Sequence, residues 1–482
     1  MVRTLIAATL LACMPLAQAQ LPQAVIDKLT AASIAPDAMG ALVLRGDKTL
    51  LTHNAERSMQ PASTIKLVTT IVGIEQLGPV FRGRTELRSA GRVAGNVLVG
   101  DLVLRGGADA DLDSQALGGM LQALRNQGIG RIEGRLVLDR SLFNPPRTDI
   151  SLPPFDESPD AYYNVVPDAL LINKNMLQLD MRSNQQQVQI VMRPELDRVK
   201  IESGFTLIPG ECARWEEGWK QPEVIRETSG TIRIVLRGSF PASCVASNSI
   251  NVLDRQDYVD RLVRLMWETM GGEMTGETIS GVAGPDTRLL AAHVSRALPE
   301  VIRDINKASD NALARTMFLS LGSLEADAIA GSKPIVVAPV PSTAQRADMA
   351  IRSWMRARGI NDAGMVLDNG SGLSRTERIS ALQMAGVLQA GLRSKWAPEI
   401  QSSLPIAGLD GTMRRRLQGS PAAERARLKT GGLRNVVAIA GYVPDANGQL
   451  CVIVAMVNAE QAGPARAALD ALVDWVARST HP

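Results

Sequence analysis

A β-rich stretch of about two hundred residues in the middle of this sequence constrains the fold more than any other feature. From roughly residue 82 to residue 280 the chain has short strand-like runs broken by Gly, Asn and Pro, with one helical pattern at about 113–126. A length of 482 residues also exceeds what one hydrophobic core usually organises. The sequence therefore predicts two or three domains, with the β-rich stretch inserted between the two ends of the chain.

The two ends of the chain carry hairpin and helix patterns. Residues 40–51 have two apolar runs around a Gly-Asp turn, and residues 436–458 have two more around Asp-Ala-Asn-Gly, which predicts two β-hairpins. Proline and glycine mark helix ends, and apolar residues recur at helical spacing near the C-terminus. Helices are predicted at 61–78, 296–306 and 312–321 and from Pro464 onward, and a surface loop at 334–341.

Composition excludes several classes of function. The net charge of +3 comes without a basic run, and aromatic residues make up only 3% of the chain, so nothing indicates a nucleic-acid partner. The sequence has three histidines and no metal-ligand spacing, which disfavours a zinc site and a Ser-His-Asp triad. We therefore expect no metal and no cofactor.

The first nineteen residues are typical of a cleavable secretory signal. Arg3 precedes an apolar run at 5–16, and Ala-Gln-Ala at 17–19 fits a cleavage site. Cys13 leaves a lipoprotein signal as an alternative. No later run is apolar enough to span a bilayer, which takes roughly 20 residues, so the sequence predicts a mature protein that is exported to the periplasm without a transmembrane segment.

Export makes disulfides permissible. Cys212 and Cys244 are close enough in sequence to close a loop within one domain and are a candidate pair. Cys451 begins an apolar, strand-like run, so we expect a buried free thiol there.

Three short motifs carry the chemistry. Residues 63–66 read Ser-Thr-Ile-Lys, 309–311 read Ser-Asp-Asn and 429–431 read Lys-Thr-Gly, which is the order found in active-site serine acyltransferases. Each motif alone occurs by chance, and 249–251 is a second Ser-x-Asn that we interpret as accidental. The order and the context of the three together predict a serine nucleophile at position 63.

The spacing of the first motif explains how Ser63 is activated. Residues three apart on a helix are about 5–6 Å apart on one face, so the amine of Lys66 can reach the hydroxyl of Ser63. A second cation nearby, Lys429, would help to lower the pKa of Lys66 so that it takes the proton. Backbone N–H groups at the helix start would stabilise the oxyanion.

The other two motifs suit a substrate cleft. Ser309 would relay a proton to the leaving amine and Asn311 would hold Lys66 and the substrate amide, although the same residues also fit a helix N-cap. Gly431 and Gly432 would let a substrate backbone lie along a strand, while Lys429 and Thr430 receive a carboxylate.

With these motifs the chain resembles the class C low-molecular-mass penicillin-binding proteins. These form the D-alanyl-D-alanine carboxypeptidase/endopeptidase family of the penicillin-binding protein 4 type, peptidase family S13. About 240 residues separate Lys66 from Ser309, far more than in class A β-lactamases. Further family-like phrases are 60–63 (Gln-Pro-Ala-Ser), 100–107 (Gly-Asp-Leu-Val-Leu-Arg-Gly-Gly), 138–143 (Leu-Asp-Arg-Ser-Leu-Phe), 368–375 (Asp-Asn-Gly-Ser-Gly-Leu-Ser-Arg) and 411–413 (Gly-Thr-Met).

The resemblance implies a fold of mixed α/β (α+β) class. Residues 20–82 and 285–482 would form a transpeptidase-like domain, an antiparallel sheet flanked by helices. Residues 83–284 would form two smaller, mostly β domains, the inner one at about 109–165. The implied substrates are peptidoglycan peptides that end in D-Ala-D-Ala or are cross-linked, and β-lactams would be inhibitors.

The resemblance also assigns roles. It makes Ser63 the acylated nucleophile and Lys66 its base, and it forms the oxyanion hole from the N–H groups of Ser63 and Gly432. Asp139 and Arg375 resemble residues that approach the far end of the peptide stem, including its diaminopimelyl group.

Three positions depart from the family pattern. Gly432 replaces a usual Ser or Thr whose hydroxyl assists carboxylate binding, and Arg315 replaces a usual Glu. Residues 107–110 read Gly-Ala-Asp-Ala instead of Gly-Gly-Asp-Pro. Arg315 and residues 107–110 are expected to touch no group that takes part in the chemistry.

Two alternatives to a peptidase stay open. A serine β-lactamase would need a deacylating Glu, and no Glu-x-x-Leu-Asn is present. A catalytically silent wall-binding or penicillin-sensing protein fits three intact motifs poorly, although Gly432 leaves room for it. A lipase-like esterase would need a Gly-x-Ser-x-Gly elbow, and this sequence does not supply one at the required spacing. Whether the protein forms a homo-oligomer is open as well.

Overall fold

The computed structural model describes residues 20–150, 152–335 and 341–480. The predicted signal at 1–19 and most of the predicted loop at 334–341 lie outside the described residues. The helices are α1 (Gln23–Ala31), α2 (Lys66–Leu77), α3 (Ser114–Asn126), α4 (Arg255–Thr269), α5 (Leu298–Lys307), α6 (Asn311–Leu321), α7 (Thr343–Arg356), α8 (Ala381–Arg393), α9 (Ala397–Ser403) and α10 (Arg466–Arg478).

The strands group by position along the chain. Before the nucleophile motif they are β1 (Met39–Arg45) and β2 (Lys48–His53). In the β-rich stretch they are β3 (Arg84–Ser89), β4 (Arg92–Ala94), β5 (Val97–Val99), β6 (Leu102–Gly107), β7 (Arg131–Glu133), β8 (Leu136–Asp139), β9 (Leu177–Ser183), β10 (Val188–Arg193), β11 (Val199–Ile208), β12 (Trp219–Arg226), β13 (Ile232–Pro241), β14 (Val245–Ile250), β15 (Glu273–Met274), β16 (Thr278–Ser280) and β17 (Arg288–Val294). The last are β18 (Leu324–Asp327), β19 (Gly331–Pro334), β20 (Arg427–Leu433), β21 (Val436–Pro444) and β22 (Leu450–Asn458).

Both chain ends build one antiparallel sheet of five strands in the order β2-β1-β22-β21-β20. The two predicted hairpins are confirmed as β1–β2 and β21–β22. Alternate residues of β21 face opposite cores, with Ala440 packed against the α2 and α8 side and Ile439 against the α1 and α10 side. Because helices cover both faces, eight of the nine residues of β21 are buried. The expected antiparallel sheet flanked by helices is confirmed.

The β-rich stretch forms four further sheets, and its nesting differs from the prediction. Strands β7 and β8 lie within the predicted inner range of 109–165, yet they pair parallel with β5 and β6, so α3 is the crossover that such parallel pairs require. The nested strands are instead β9 to β14, at 177–250, in two sheets of three strands. The predicted boundary at 284 is also early, because β17 returns to pair with β3.

A second helix in this stretch, α4, was not predicted. Asp254 caps it by accepting a hydrogen bond from the N–H of Gln256, and its buried face includes Tyr258, Leu262 and Trp267. Both the cap residue and the helical apolar spacing are present in the sequence, so the pattern was sufficient to find it. The prediction of a single helix in this stretch is wrong.

Cys212 and Cys244 are joined by a disulfide within the nested sheets. Cys451 is buried and is the free cysteine among the described residues, as predicted. In the part of the chain that the structure describes, no helix combines the length and the apolar character needed to cross a membrane.

Candidate active site

Ser63 lies in a tight turn at the start of α2. A 3-10 turn covers Ala62–Ile65, and α2 continues from Lys66. Ala62 has φ 45°, a left-handed conformation that is uncommon for alanine and is typical of constrained functional positions. The turn presents Ser63 to a cavity while the residues around it are buried.

The amine of Lys66 contacts the hydroxyl of Ser63. Its Nζ is 3.0 Å from Ser63 Oγ and 2.7 Å from Asn311 Oδ1, and it also donates to the carbonyl oxygen of Ser371. Lys66 is fully buried. The first and second motifs therefore meet at one amine, in hydrogen-bonding contact with the Ser63 hydroxyl.

The pKa of Lys66 lies well below the ordinary value for lysine. Burial is the largest cause because it disfavours the charged amine, and the nearby charge of Lys429 lowers the pKa further. Glu377 and Asp310 act in the opposite direction, and Arg315 adds a smaller lowering effect. A neutral amine in this position is suited to accept the proton of Ser63.

The second motif lies between α5 and α6, where it caps α6 and also contacts Lys66 and Lys429. Asp310 caps α6 by accepting from the N–H of Leu313 at 2.9 Å. Ser309, with φ 60°, turns its hydroxyl toward the third motif. Asn311 donates from Nδ2 to the carbonyl of Tyr163 at 2.9 Å, so a residue of the β-rich stretch holds it.

Lys429 lies on β20 beneath the cleft. Its Nζ is 2.8 Å from Ser309 Oγ and 2.9 Å from the carbonyl of Thr430, and its side chain is fully buried. Burial lowers the pKa of Lys429 to about 7. The hydroxyl of Thr430 donates a hydrogen bond to the hydroxyl of Thr412 at 2.8 Å. These two hydroxyls, and not the Lys429 amine, are the more exposed groups on this side.

The two glycines of β20 differ in their surroundings. A Cβ on Gly431 would stand 2.7 Å from the carbonyl oxygen of Pro61 and 3.1 Å from the N–H nitrogen of Ser63, so the strand can approach the nucleophile only because no side chain is there. A Cβ on Gly432 would meet nothing within 4 Å. The absence of a hydroxyl at position 432 therefore leaves open space in the cleft.

Ser63, Ser309 and Asn311 line a cavity of about 1400 Å³. Lys66 and Lys429 lie behind them, fully buried, and Thr430 follows Lys429 on β20. We call these six residues the floor. The β-rich stretch supplies other lining residues, which we call the roof; they include Phe155, Asp156, Tyr163, Glu216 and Asn248. Lys174, also from the β-rich stretch, forms an ion pair with Asp310 of the second motif. A neighbouring cavity of about 610 Å³ shares Lys174, Met176, Gln178 and Ser249 with the cleft, but no residue of the three motifs lines it.

Asp139 and Arg375 have different locations. Asp139 is buried at the end of β8, where its carboxylate accepts from the N–H groups of Ser141 at 2.9 Å and Ala283 at 2.8 Å, away from the cleft. The expectation that Asp139 approaches the substrate is therefore wrong, because the strand pairing turns it inward. Arg375 does line the cleft, with its guanidinium 4.8 Å from the centre of the Phe155 ring.

Sequence reasoning missed four residues near the site. Ser371 and Thr412 lie in the phrases at 368–375 and 411–413 but had no role assigned. Asp156 lies on the roof and accepts from Tyr163 Oη at 2.9 Å and Asn164 Nδ2 at 2.8 Å. Arg315 Nε lies 3.4 Å from Ser371 Oγ, so the expectation that it touches nothing connected with the chemistry needs revision.

A metal site is not part of this arrangement. Within the described ranges, no three His, Cys, Asp or Glu side chains are grouped so that they could hold a metal ion.

Comparisons of this chain with protein families, with individual proteins and with solved structures all find D-Ala-D-Ala carboxypeptidases or a penicillin-binding protein. A family model described as the D-Ala-D-Ala carboxypeptidase 3 (S13) family matches residues 22–479. The chain is 26% identical to the D-alanyl-D-alanine carboxypeptidase DacB of Haemophilus influenzae over 423 residues, 85% of this chain and 83% of that protein. It is also 26% identical to the D-alanyl-D-alanine carboxypeptidase of Actinomadura sp. over 86% of this chain and 76% of that one. The crystal structure of penicillin-binding protein 4 from Haemophilus influenzae superposes with a TM-score of 0.77 and 23% identity, covering 94% of this chain and 99% of that one.

Proposed function

We infer that this chain, which belongs to the D-Ala-D-Ala carboxypeptidase 3 (S13) family, is a serine-type D-Ala-D-Ala peptidase with Ser63 as its nucleophile. The observation that carries the assignment is the contact between Lys66 Nζ and Ser63 Oγ at 3.0 Å. A buried amine with a lowered pKa, next to the hydroxyl, is suited to activate a serine nucleophile.

Acylation begins when Ser63 Oγ attacks the carbonyl carbon between the two D-alanines, and Lys66 takes the hydroxyl proton. The N–H groups of Ser63 and Gly432 stabilise the oxyanion. The C–N bond then breaks, and the proton that Lys66 took passes through Ser309 to the leaving amine. Water later attacks the ester carbonyl: its OH stays on the released peptide acid, and its remaining proton returns to Ser63 Oγ through Lys66.

The terminal carboxylate of the substrate binds beside β20. The hydroxyls of Thr430 and Thr412, 2.8 Å apart, would donate to it. Lys429 lies below them and contributes its charge when protonated. Its amine also contacts Ser309 Oγ, so the residue links carboxylate recognition to the proton relay.

The far end of the peptide stem extends toward Arg375 and the roof. Arg375 donates to the carbonyl of Phe155 at 2.9 Å, and Asp156 is next to it, so a cation and an anion adjoin at this end of the cleft. We propose Asp156, in place of Asp139, as the acidic partner of Arg375 in substrate binding. The two charges suit a stem residue that carries both an amino and a carboxyl group.

The size of the cleft favours substrates larger than a dipeptide. Small-molecule sites usually measure about 300–1000 Å³, and this cavity is about 1400 Å³. We therefore propose cross-linked peptides as substrates alongside linear ones, which makes the protein a carboxypeptidase and a DD-endopeptidase. The signal pattern at 1–19 supports action in the periplasm. Residues 20–82 and 295–480 would form the catalytic unit, with 84–294 as the inserted units.

A fluorescent penicillin tests the nucleophile. Wild-type protein and the Ser58→Ala control, which removes an exposed hydroxyl five residues away, should label covalently, whereas Ser63→Ala should not. Labelling of the Ser63→Ala variant at the wild-type level would disprove the assignment.

Products from purified cross-linked wall peptides distinguish the activities. Mass spectrometry should detect free D-alanine from the carboxypeptidase reaction and separated stems from the endopeptidase reaction. Rapid turnover of the penicillin would favour the β-lactamase alternative, and intact peptides together with stable labelling would favour a silent penicillin-binding protein.

A further inference from the structure

Arg315 occupies a buried position behind the catalytic lysine. It emerges from α6 one turn after Asn311 and is 7% exposed. The guanidinium donates to the carbonyl of Val165 at 3.0 Å, to the carbonyl of Leu373 at 3.4 Å and to Ser371 Oγ at 3.4 Å. The planar guanidinium of Arg315 thus links Val165 of the β-rich stretch to the loop at 368–374.

Glu377 holds the same loop from its other end. Its Oε1 accepts from the N–H groups of Asp368, Asn369 and Gly370, the last at 2.8 Å. Its Oε2 is buried with no hydrogen-bond partner among the described residues. This side chain is buried, which raises the pKa of Glu377, so the loop lies between a buried guanidinium and a buried carboxyl group.

Ser371, in the middle of this loop, contacts the amine of Lys66. The carbonyl of Ser371 accepts from Lys66 Nζ, while its Oγ accepts from Arg315 and donates to Asn369 Oδ1 at 2.6 Å. Gly372, with φ 85°, leaves no room for a Cβ, which would stand 2.6 Å from the backbone nitrogen of Ser63. A shift of the loop would therefore move an acceptor of Lys66 and press on the nucleophile turn at once.

We propose that Arg315 is a positioning residue for acylation: it fixes the loop at 368–374 so that the Ser371 carbonyl orients the Lys66 amine toward Ser63. This inference rests on the proposed function and adds a residue to it.

The charges around Lys66 give the proposal a second consequence. Lys429 on β20 and Arg315 on α6 lower the pKa of Lys66, whereas Glu377 and Asp310 raise it, and Asp310 is itself paired with Lys174. Replacement of Arg315 by a neutral residue should raise the pKa of Lys66. Replacement of Glu377 by a neutral residue should lower it.

The test is the pH profile of acylation by a fluorescent penicillin, measured as a second-order rate constant for the wild type, Arg315→Gln, Arg315→Lys and Glu377→Gln. On the acid side of the profile, acylation should fall about tenfold for each unit by which the Lys66 pKa rises. The acid midpoint should therefore move up in Arg315→Gln and down in Glu377→Gln. In Arg315→Lys the midpoint should stay near the wild-type value while the rate falls, because the charge remains but the planar guanidinium is lost.

A matched control separates positioning from general stability. Arg346 also binds three acceptors, the carbonyls of Gly322 and Pro341 and Thr343 Oγ1, but it is not among the charges that act on Lys66. Arg346→Gln should lower the melting temperature without moving the midpoint.

The proposal is overturned if Arg315→Gln keeps the wild-type midpoint and rate, or if the Arg315→Gln and Glu377→Gln midpoints move in the same direction. If Glu377→Gln does not fold, the test is the difference in acid midpoint between Arg315→Gln and Arg315→Lys. Equal midpoints in these two variants would then overturn the proposal. Failure of the proposed function would look different, because the wild type itself would then not be acylated at Ser63.

Discussion

The floor and the roof of the cleft differ in how their polar groups are used. On the floor, Lys66 and Lys429 are fully buried and their pKa values are lowered mainly by burial. On the roof, Glu216 is exposed and Asp156 is half-buried. Full burial shifts the pKa of an ionisable group strongly, whereas a charge that reaches solvent acts mainly through attraction to a ligand. The floor is thus suited to proton transfer and the roof to recognition, so substitutions on the two sides should affect different kinetic constants.

The largest expected effect is on the floor. Lys66→Ala removes the amine that takes the Ser63 proton, and general-base groups contribute about 10²- to 10⁴-fold. Acylation by penicillin should fall by about that factor with the fold intact. Stopped-flow labelling and circular dichroism check it, and an acylation rate within about threefold of wild type would contradict the role of the base.

The second prediction concerns pH. Lys429, with its pKa lowered to about 7, is charged below that pH and neutral above it. Attraction of the substrate carboxylate should therefore weaken as pH rises through about 7, and KM should rise, while the amine of Lys66 remains available as a base. A peptide whose terminal carboxylate is methylated is the control, since its KM should not change over this range. An equal rise in KM for both peptides would refute the assignment.

The third prediction concerns Arg375, which lines the cleft next to Phe155 and Asp156 of the roof. Arg375→Ala removes a charge-assisted contact with the far end of the stem, worth about 1.5–3 kcal/mol in typical cases. KM should rise for a full stem peptide but not for a short D-Ala-D-Ala peptide, and penicillin labelling should persist. Asp139→Asn provides the comparison, because this residue is buried away from the cleft and should change stability but not KM. A similar rise in KM for both peptides would show instead that Arg375 contacts the D-Ala-D-Ala end that they share.

The smallest expected effect comes from filling the open space at position 432. Gly432→Ser would add one hydroxyl near Thr430, and a single hydrogen bond contributes about 0.5–1.5 kcal/mol. We expect KM for a carboxylate-terminated peptide to fall about two- to tenfold with little change in kcat. Gly431→Ser is the contrasting variant, because its Cβ would press on Pro61 and Ser63, and it should lose activity. No change in KM for Gly432→Ser would show that the hydroxyl does not reach the carboxylate.

Local pattern was enough for the parts of the fold that depend on neighbouring residues. The hairpins at β1–β2 and β21–β22 follow from turn residues between apolar runs, and the contact of Ser63 with Lys66 follows from their spacing on one face of a helix. The arrangement of the β-rich stretch did not follow, since the parallel pairing of β6 with β8 joins segments about thirty residues apart. That pairing is also what turns Asp139 inward.

Some contacts in the site could not be predicted from residue types. The third acceptor of Lys66 is a backbone carbonyl, that of Ser371, and every residue type carries one. The role of Asp156 depends on a long loop that brings it next to Arg375. Such contacts arise from the way that distant segments pack, and a residue pattern read along the chain does not contain them.

The contacts of the β-rich stretch with the second motif have a consequence for any attempt to shorten the enzyme. Tyr163 holds Asn311 through its carbonyl, and Lys174 neutralises Asp310. A deletion that kept only the two chain ends would preserve all three motifs in the sequence, yet it would free an amide and leave an unpaired carboxylate beside the catalytic lysine. We therefore expect a chain shortened to its two ends to lose the arrangement of the second motif.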